Sequence, residues 1–92
     1  MEKRVHVFYS GRVQGVGFRL TAEETAKRFG VGGWVKNLRD GRVELVAEGE
    51  KNTIIRFLEE IRMGPMCKFI REVDVTWSPS ADEFDEFEIR YF

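Results

Sequence analysis

The sequence predicts an α+β domain of the ferredoxin-like, split β-α-β kind, with two helices on one face of a mostly antiparallel sheet. Three observations predict it. Several segments carry apolar residues at strand-like spacing, among them "RVHVFYS" and "RVELVAE". Two others carry an apolar stripe at helical spacing. Their order along the chain is β-α-β-β-α-β, followed by a short terminal strand.

The elements follow in turn. In the first strand Val5, Val7 and Tyr9 alternate with His6, Phe8 and Ser10, and both sets carry apolar residues. That suits an interior strand covered at least partly on both faces. The first helix is expected over about 18–29, with Phe18, Ala22, Thr25, Ala26 and Phe29 on one stripe and Gly30 as its stop. "VGGWVKNL" and "RVELVAEG" flank Asp40-Gly41, the strongest hairpin signal in the chain. Val43, Leu45 and Ala47 form its apolar face, with Glu44 and Glu48 opposite. The second helix is expected over 51–63, from Ile54, Phe57, Leu58 and Ile61, and Gly64-Pro65 ends it. A long strand, "KFIREVDVTW", stops at Ser78-Pro79, and "FEIRYF" is the last. The acidic stretch Asp82 to Glu88 between them reads as a solvated turn, since it lacks calcium-loop spacing.

Size and composition bound the function. The chain has 92 residues with 42% apolar, which fits a single domain over 1–92 with one modest core. No run is long and apolar enough for a membrane span or signal peptide, so a cytoplasmic protein without membrane contact is expected. Cys67 is the only cysteine, which excludes an internal disulfide. The net charge of −1 argues against a nucleic-acid binder that depends on a broad basic surface. "RVELVAE" also lacks the aromatics with which RNA-recognition domains of this fold stack bases.

The chemistry concentrates in "GRVQGVGFR", Gly11 to Arg19. A strand, a glycine-rich turn and a helix start form a recipe for anion binding. Backbone N–H groups converge there, and the helix end adds partial positive charge. The loop is neither of the common nucleotide loops. No Lys-Ser or Lys-Thr closes it, and the position that GxGxxG reserves for its third glycine holds Leu20. Glycine alone would suit a plain structural turn. Arg19 is open to two readings: an exposed, screened surface charge, or an anion-site residue, since a cation is disfavoured at a helix N-terminus unless an anion lies between them and guanidinium suits bidentate phosphate contact. Asn37, at the end of a strand, is open to two readings, ordinary turn chemistry or a site residue. Alternation turns Lys36 to the opposite face.

Two ungapped patterns carry a family resemblance. One is Gly11, Val13, Gln14, Gly15, Val16, Phe18 and Arg19. The other is Gly33, Trp34, Val35, Asn37, Gly41, Val43 and Gly49. In both the chain resembles the acylphosphatases, and its element order is similar to theirs over nearly all its length. The resemblance implies hydrolysis of small acyl phosphates to carboxylate and inorganic phosphate, without metal or other cofactor. It implies that Arg19 binds the phosphoryl group and that the backbone of Gln14, Gly15, Val16, Gly17 and Phe18 surrounds its oxygens. Asn37 would orient the attacking water. Gly17 stands where family members often carry a bulkier residue, and Leu38 where others carry a small polar one. A monomer is expected. Acylphosphatase-like domains also open larger hydrogenase-maturation proteins, so a domain that binds such a substrate without efficient turnover is the alternative.

The residues that are missing agree with that chemistry. His6 lies mid-strand and reads as a packed or surface residue. Cys67 cannot belong to a C-x5-R phosphatase loop, because position 73 is valine, and reads as buried or half-buried. No cluster has metal-ligand spacing. A monoester would need help to expel its alkoxide-like oxygen. An acyl phosphate expels a carboxylate, which leaves without a proton because its conjugate acid has a pKa of ~4. Positioning and charge stabilisation then remain.

Overall fold

A computed structural model describes residues 2–91. Its elements are β1 (Glu2–Gly11), α1 (Phe18–Phe29), β2 (Gly32–Asn37), β3 (Val43–Glu50), α2 (Lys51–Met63), a 3-10 turn (Cys67–Phe69), β4 (Ile70–Pro79) and β5 (Phe87–Arg90). The sheet order is β4-β1-β3-β2-β5, antiparallel except for the parallel β2–β5 pair. This is the expected α+β, ferredoxin-like arrangement.

Register explains the core. Val7 pairs with Leu45 and Leu45 with Val35, which in turn pairs with Ile89. Directly opposed residues share a face, so this row runs across four strands beneath the helices. Phe18, Ala22, Thr25 and Ala26 of α1 and Ile54, Phe57 and Ile61 of α2 are buried against that face. The next row is Tyr9, Val43 and Asn37. Asn37 therefore occupies a core-facing position, the polar end of an otherwise apolar row.

Strand β1 lies between β4 and β3, as its two-sided pattern requires. Among the described residues β4 pairs only with β1, so its other edge is open. On the side away from the helices, His6 Nε2 lies 2.6 Å from Glu44 Oε2, and its ring is 4.7 Å from that of Phe8.

Two expectations need correction, those for Cys67 and for the bounds of the last two strands. Glu48, opposite the apolar face of β3, is buried: the segment after β4 folds back over it. Its carboxylate accepts from Ala81 N at 2.8 Å and Glu83 N at 3.1 Å, and Arg4 Nη1 donates to it at 3.0 Å. The acidic stretch is thus tied at its start to β3. Cys67 is exposed, because Cys67–Phe69 coils into the 3-10 turn, which also delays the start of β4 to Ile70. β5 ends at Arg90; Phe92, expected in that strand, lies outside the described residues, as does Met1 of the expected 1–92 domain.

Candidate active site

The loop between β1 and α1 opens onto a cleft of about 310 Å³. Gly17 is the N-cap of α1 in the left-handed region, φ 83° and ψ 19°, a conformation that glycine adopts without a Cβ clash. Among the described residues no side chain caps the helix, and its first turn has no acidic residue. The first helical hydrogen bond runs from Thr21 N to Gly17 O at 3.0 Å. The amides before Thr21 thus have no intrahelical acceptor, and they bring the positive end of α1 to the cleft.

Gly15, Gly17, Phe18 and Arg19 line this cleft, together with Asn37. The glycine loop and the strand-end asparagine, distant in sequence, therefore meet at one site. The Phe18 side chain points inward, 4.8 Å from the Tyr9 ring, and holds the helix start against β1. Tyr9 itself is buried, its hydroxyl without a hydrogen-bond partner among the described residues, and burial pushes its ionisation well above the usual tyrosine range.

Two of the assigned loop residues do not line the cleft. Val16 packs against the core. The Gln14 side chain turns to the β2–β3 hairpin and donates to Leu38 O at 2.7 Å and Arg42 O at 2.9 Å. Only the backbones of these two residues remain candidates for anion contact.

Arg19 is half-buried. Among the described residues its charged end meets a ring rather than a carboxylate: Cζ lies 5.0 Å from the Tyr91 centroid. Asn37 ends β2 opposite Val43. Its Oδ1 is buried with no hydrogen-bond partner among the described residues. The turn itself closes through Leu38 N to Arg42 O at 2.8 Å and through the Asp40 carboxylate, which accepts from Arg42 N and Nε. The Asn37 oxygen has no part in that turn chemistry. Lys36 lies on the other face, 3.9 Å from Glu44, as alternation requires.

Four further residues line the cleft that sequence reasoning did not select: Val13, Leu20, Ile89 and Tyr91. The signal for two of them was alternation. Phe87, Ile89 and Tyr91 share a parity, and Phe87 is buried in the core.

A family model described as "Acylphosphatase" matches residues 5–89. The chain belongs to the acylphosphatase family. It is 44% identical over 90 residues to an acylphosphatase of Syntrophobacter fumaroxidans, covering 98% of this chain and 93% of the relative. It is 46% identical over 87 residues to that of Methylococcus capsulatus, covering 95% of each. The crystal structure of the acylphosphatase from Bacillus subtilis superposes with a TM-score of 0.90 at 38% identity, covering 97% of this chain and 99% of that one. Membership makes the chain a hydrolase of acyl phosphates. No helix among the described residues is long and apolar enough to cross a membrane.

Proposed function

We propose that the cleft cleaves the carboxyl–phosphate anhydride of small acyl phosphates by direct in-line attack of water, without a phosphoenzyme. Arg19 and the loop amides from Gln14 to Phe18 hold the phosphoryl oxygens, and Asn37 orients the water. The observation that carries this reading is the unpartnered Asn37 oxygen at a core-facing position beside an uncapped helix start. An unsatisfied buried acceptor costs about 1–3 kcal/mol. A fold that retains one next to a cationic anion site is organised for a ligand.

The electron accounting is short. A bond forms from the water oxygen to phosphorus, and the bond from phosphorus to the acyl oxygen breaks. The carboxylate leaves with the electron pair. Among the described residues, Arg19 and Tyr91 are the only ionisable ones lining the cleft. Neither is an evident base, and in this reading a phosphoryl oxygen takes the water's proton. In-line geometry and fixed donors supply the acceleration. We further propose that residues 1–92 act as one metal-independent, monomeric, cytoplasmic domain.

Acetyl phosphate hydrolysis by the purified chain in excess chelator tests the reading. Catalysed phosphate release supports it. Phosphate binding without turnover would assign the cleft to a binding domain instead.

A further inference from the structure

We infer that the Gln14 side chain is a positioning residue: it sets the separation between the phosphoryl cradle and Asn37. The inference rests on the roles proposed above for those two parts. Among the described residues the backbone of 13–16 makes no hydrogen bond to the rest of the chain, whereas Arg12 N is held by Phe69 O at 2.9 Å. The polar tie between the loop and the hairpin is Gln14 Nε2. It reaches Leu38 O and Arg42 O, the two carbonyls that bracket the turn.

The match of donors and acceptors is complete. An amide nitrogen has two hydrogens, and each meets one carbonyl. Each carbonyl has two lone pairs. The second on Arg42 takes Leu38 N, and the second on Leu38 takes Gly41 N at 3.2 Å. Leu38 directly follows Asn37. A shift of the loop against the hairpin would therefore move the water-holding amide against the phosphoryl site. Displacements of about 1 Å in such a pair can cost about 100-fold in rate. Phosphate affinity depends on the loop amides and Arg19, which lie on one side of this tie.

The test compares Gln14→Leu, Gln14→Glu and Asn37→Ala with the unaltered chain, using acetyl phosphate as substrate and inorganic phosphate as competitive inhibitor. Gln14→Leu should lower kcat about 10- to 100-fold and shift phosphate inhibition less than about 3-fold, which also shows that the variant is folded. Adding Gln14→Leu to Asn37→Ala should cost little more than Asn37→Ala alone, because Gln14 acts through Asn37. Gln14→Glu offers a readout that loosened packing would not move. Its ionised carboxylate faces two carbonyls with no hydrogen to give, while the protonated form donates one. Its kcat relative to the unaltered chain should therefore rise as pH falls.

Equal loss of kcat and phosphate affinity in Gln14→Leu would overturn the inference, as would an unchanged kcat. So would fully multiplicative losses in the double variant or a flat pH ratio for Gln14→Glu. An unaltered chain that fails to hydrolyse acetyl phosphate, or an Asn37→Ala variant with full turnover, would instead sink the underlying reading.

Discussion

The guanidinium carbon of Arg19 lies 5.0 Å from the centroid of the Tyr91 ring, so the cation proposed to hold the phosphoryl group rests on a side chain from beyond the final strand. Tyr91 is 71% exposed, and cation–π contacts at exposed sites contribute about 0.5–1 kcal/mol. Tyr91→Ser should therefore weaken inhibition by inorganic phosphate about 2- to 5-fold, and Tyr91→Phe should restore it. Equal inhibition in all three proteins would show that the ring does not steady Arg19.

Arg19 and Asn37 should separate by kinetic signature. Arg19→Ala should abolish phosphate inhibition together with turnover, and Arg19→Lys should recover little because a point charge lacks the planar fork. Asn37→Ala should lower kcat about 100- to 1,000-fold, the range for one lost transition-state donor, while inhibition by phosphate persists. Steady-state rates with added phosphate give both quantities.

Gly33 and Gly17 should respond differently to alanine. Gly33 has φ +148°, and a Cβ there would stand 1.9 Å from the Val46 carbonyl oxygen in the neighbouring strand. Gly33→Ala should destabilise the fold by about 3 kcal/mol or more, through backbone strain and a clash with backbone. Gly17 has φ +83°, and a Cβ there would meet no atom within 4 Å. Gly17→Ala should cost only about 1–2 kcal/mol, the left-handed penalty alone. Urea unfolding midpoints compare the two.

Glu48 should make stability depend on acidity. Burial works to raise its pKa, but the Ala81 and Glu83 amides and the Arg4 guanidinium outweigh it and hold the carboxyl below its ordinary 4.5. A depressed folded pKa gives stability that is present above the unfolded value and lost as pH falls through the folded one. Unaltered protein should exceed Glu48→Gln in unfolding free energy at neutral pH, and the gap should narrow as pH falls below about 4.5. A gap independent of pH would place the effect elsewhere.

Local pattern made much of this legible. Period-two alternation oriented Val5, Val7 and Tyr9, and the helical stripes named the buried residues of α1 and α2. Arg19 and Asn37 stood out because a helix-start cation and a strand-end asparagine fell within specific motifs. What escaped were contacts made across the chain. Glu48 shares its strand face with Glu44, and no spacing rule says that Ala81 and Glu83 will fold back onto it. The Gln14 side chain was hidden in the same way, because its acceptors lie on a hairpin 24 and 28 positions away. Cys67 was misplaced because its small apolar side chain suggested burial, whereas the 3-10 turn Cys67–Phe69 leaves it exposed.

The open edge of β4 has a consequence for how the molecule stays dispersed. An unpaired edge is a template for strands of other copies. Here Val73, Val75 and Trp77 alternate along ten residues with Glu72, Asp74, Thr76 and Ser78, and Pro79 ends the strand. Asp74 interrupts what would otherwise be an unbroken Val73–Val75 apolar run. Asp74→Val should leave the cleft intact yet promote edge-to-edge aggregation, visible by light scattering. Resistance to aggregation thus depends on where single charges sit along this edge, far more than on a net charge of only −1.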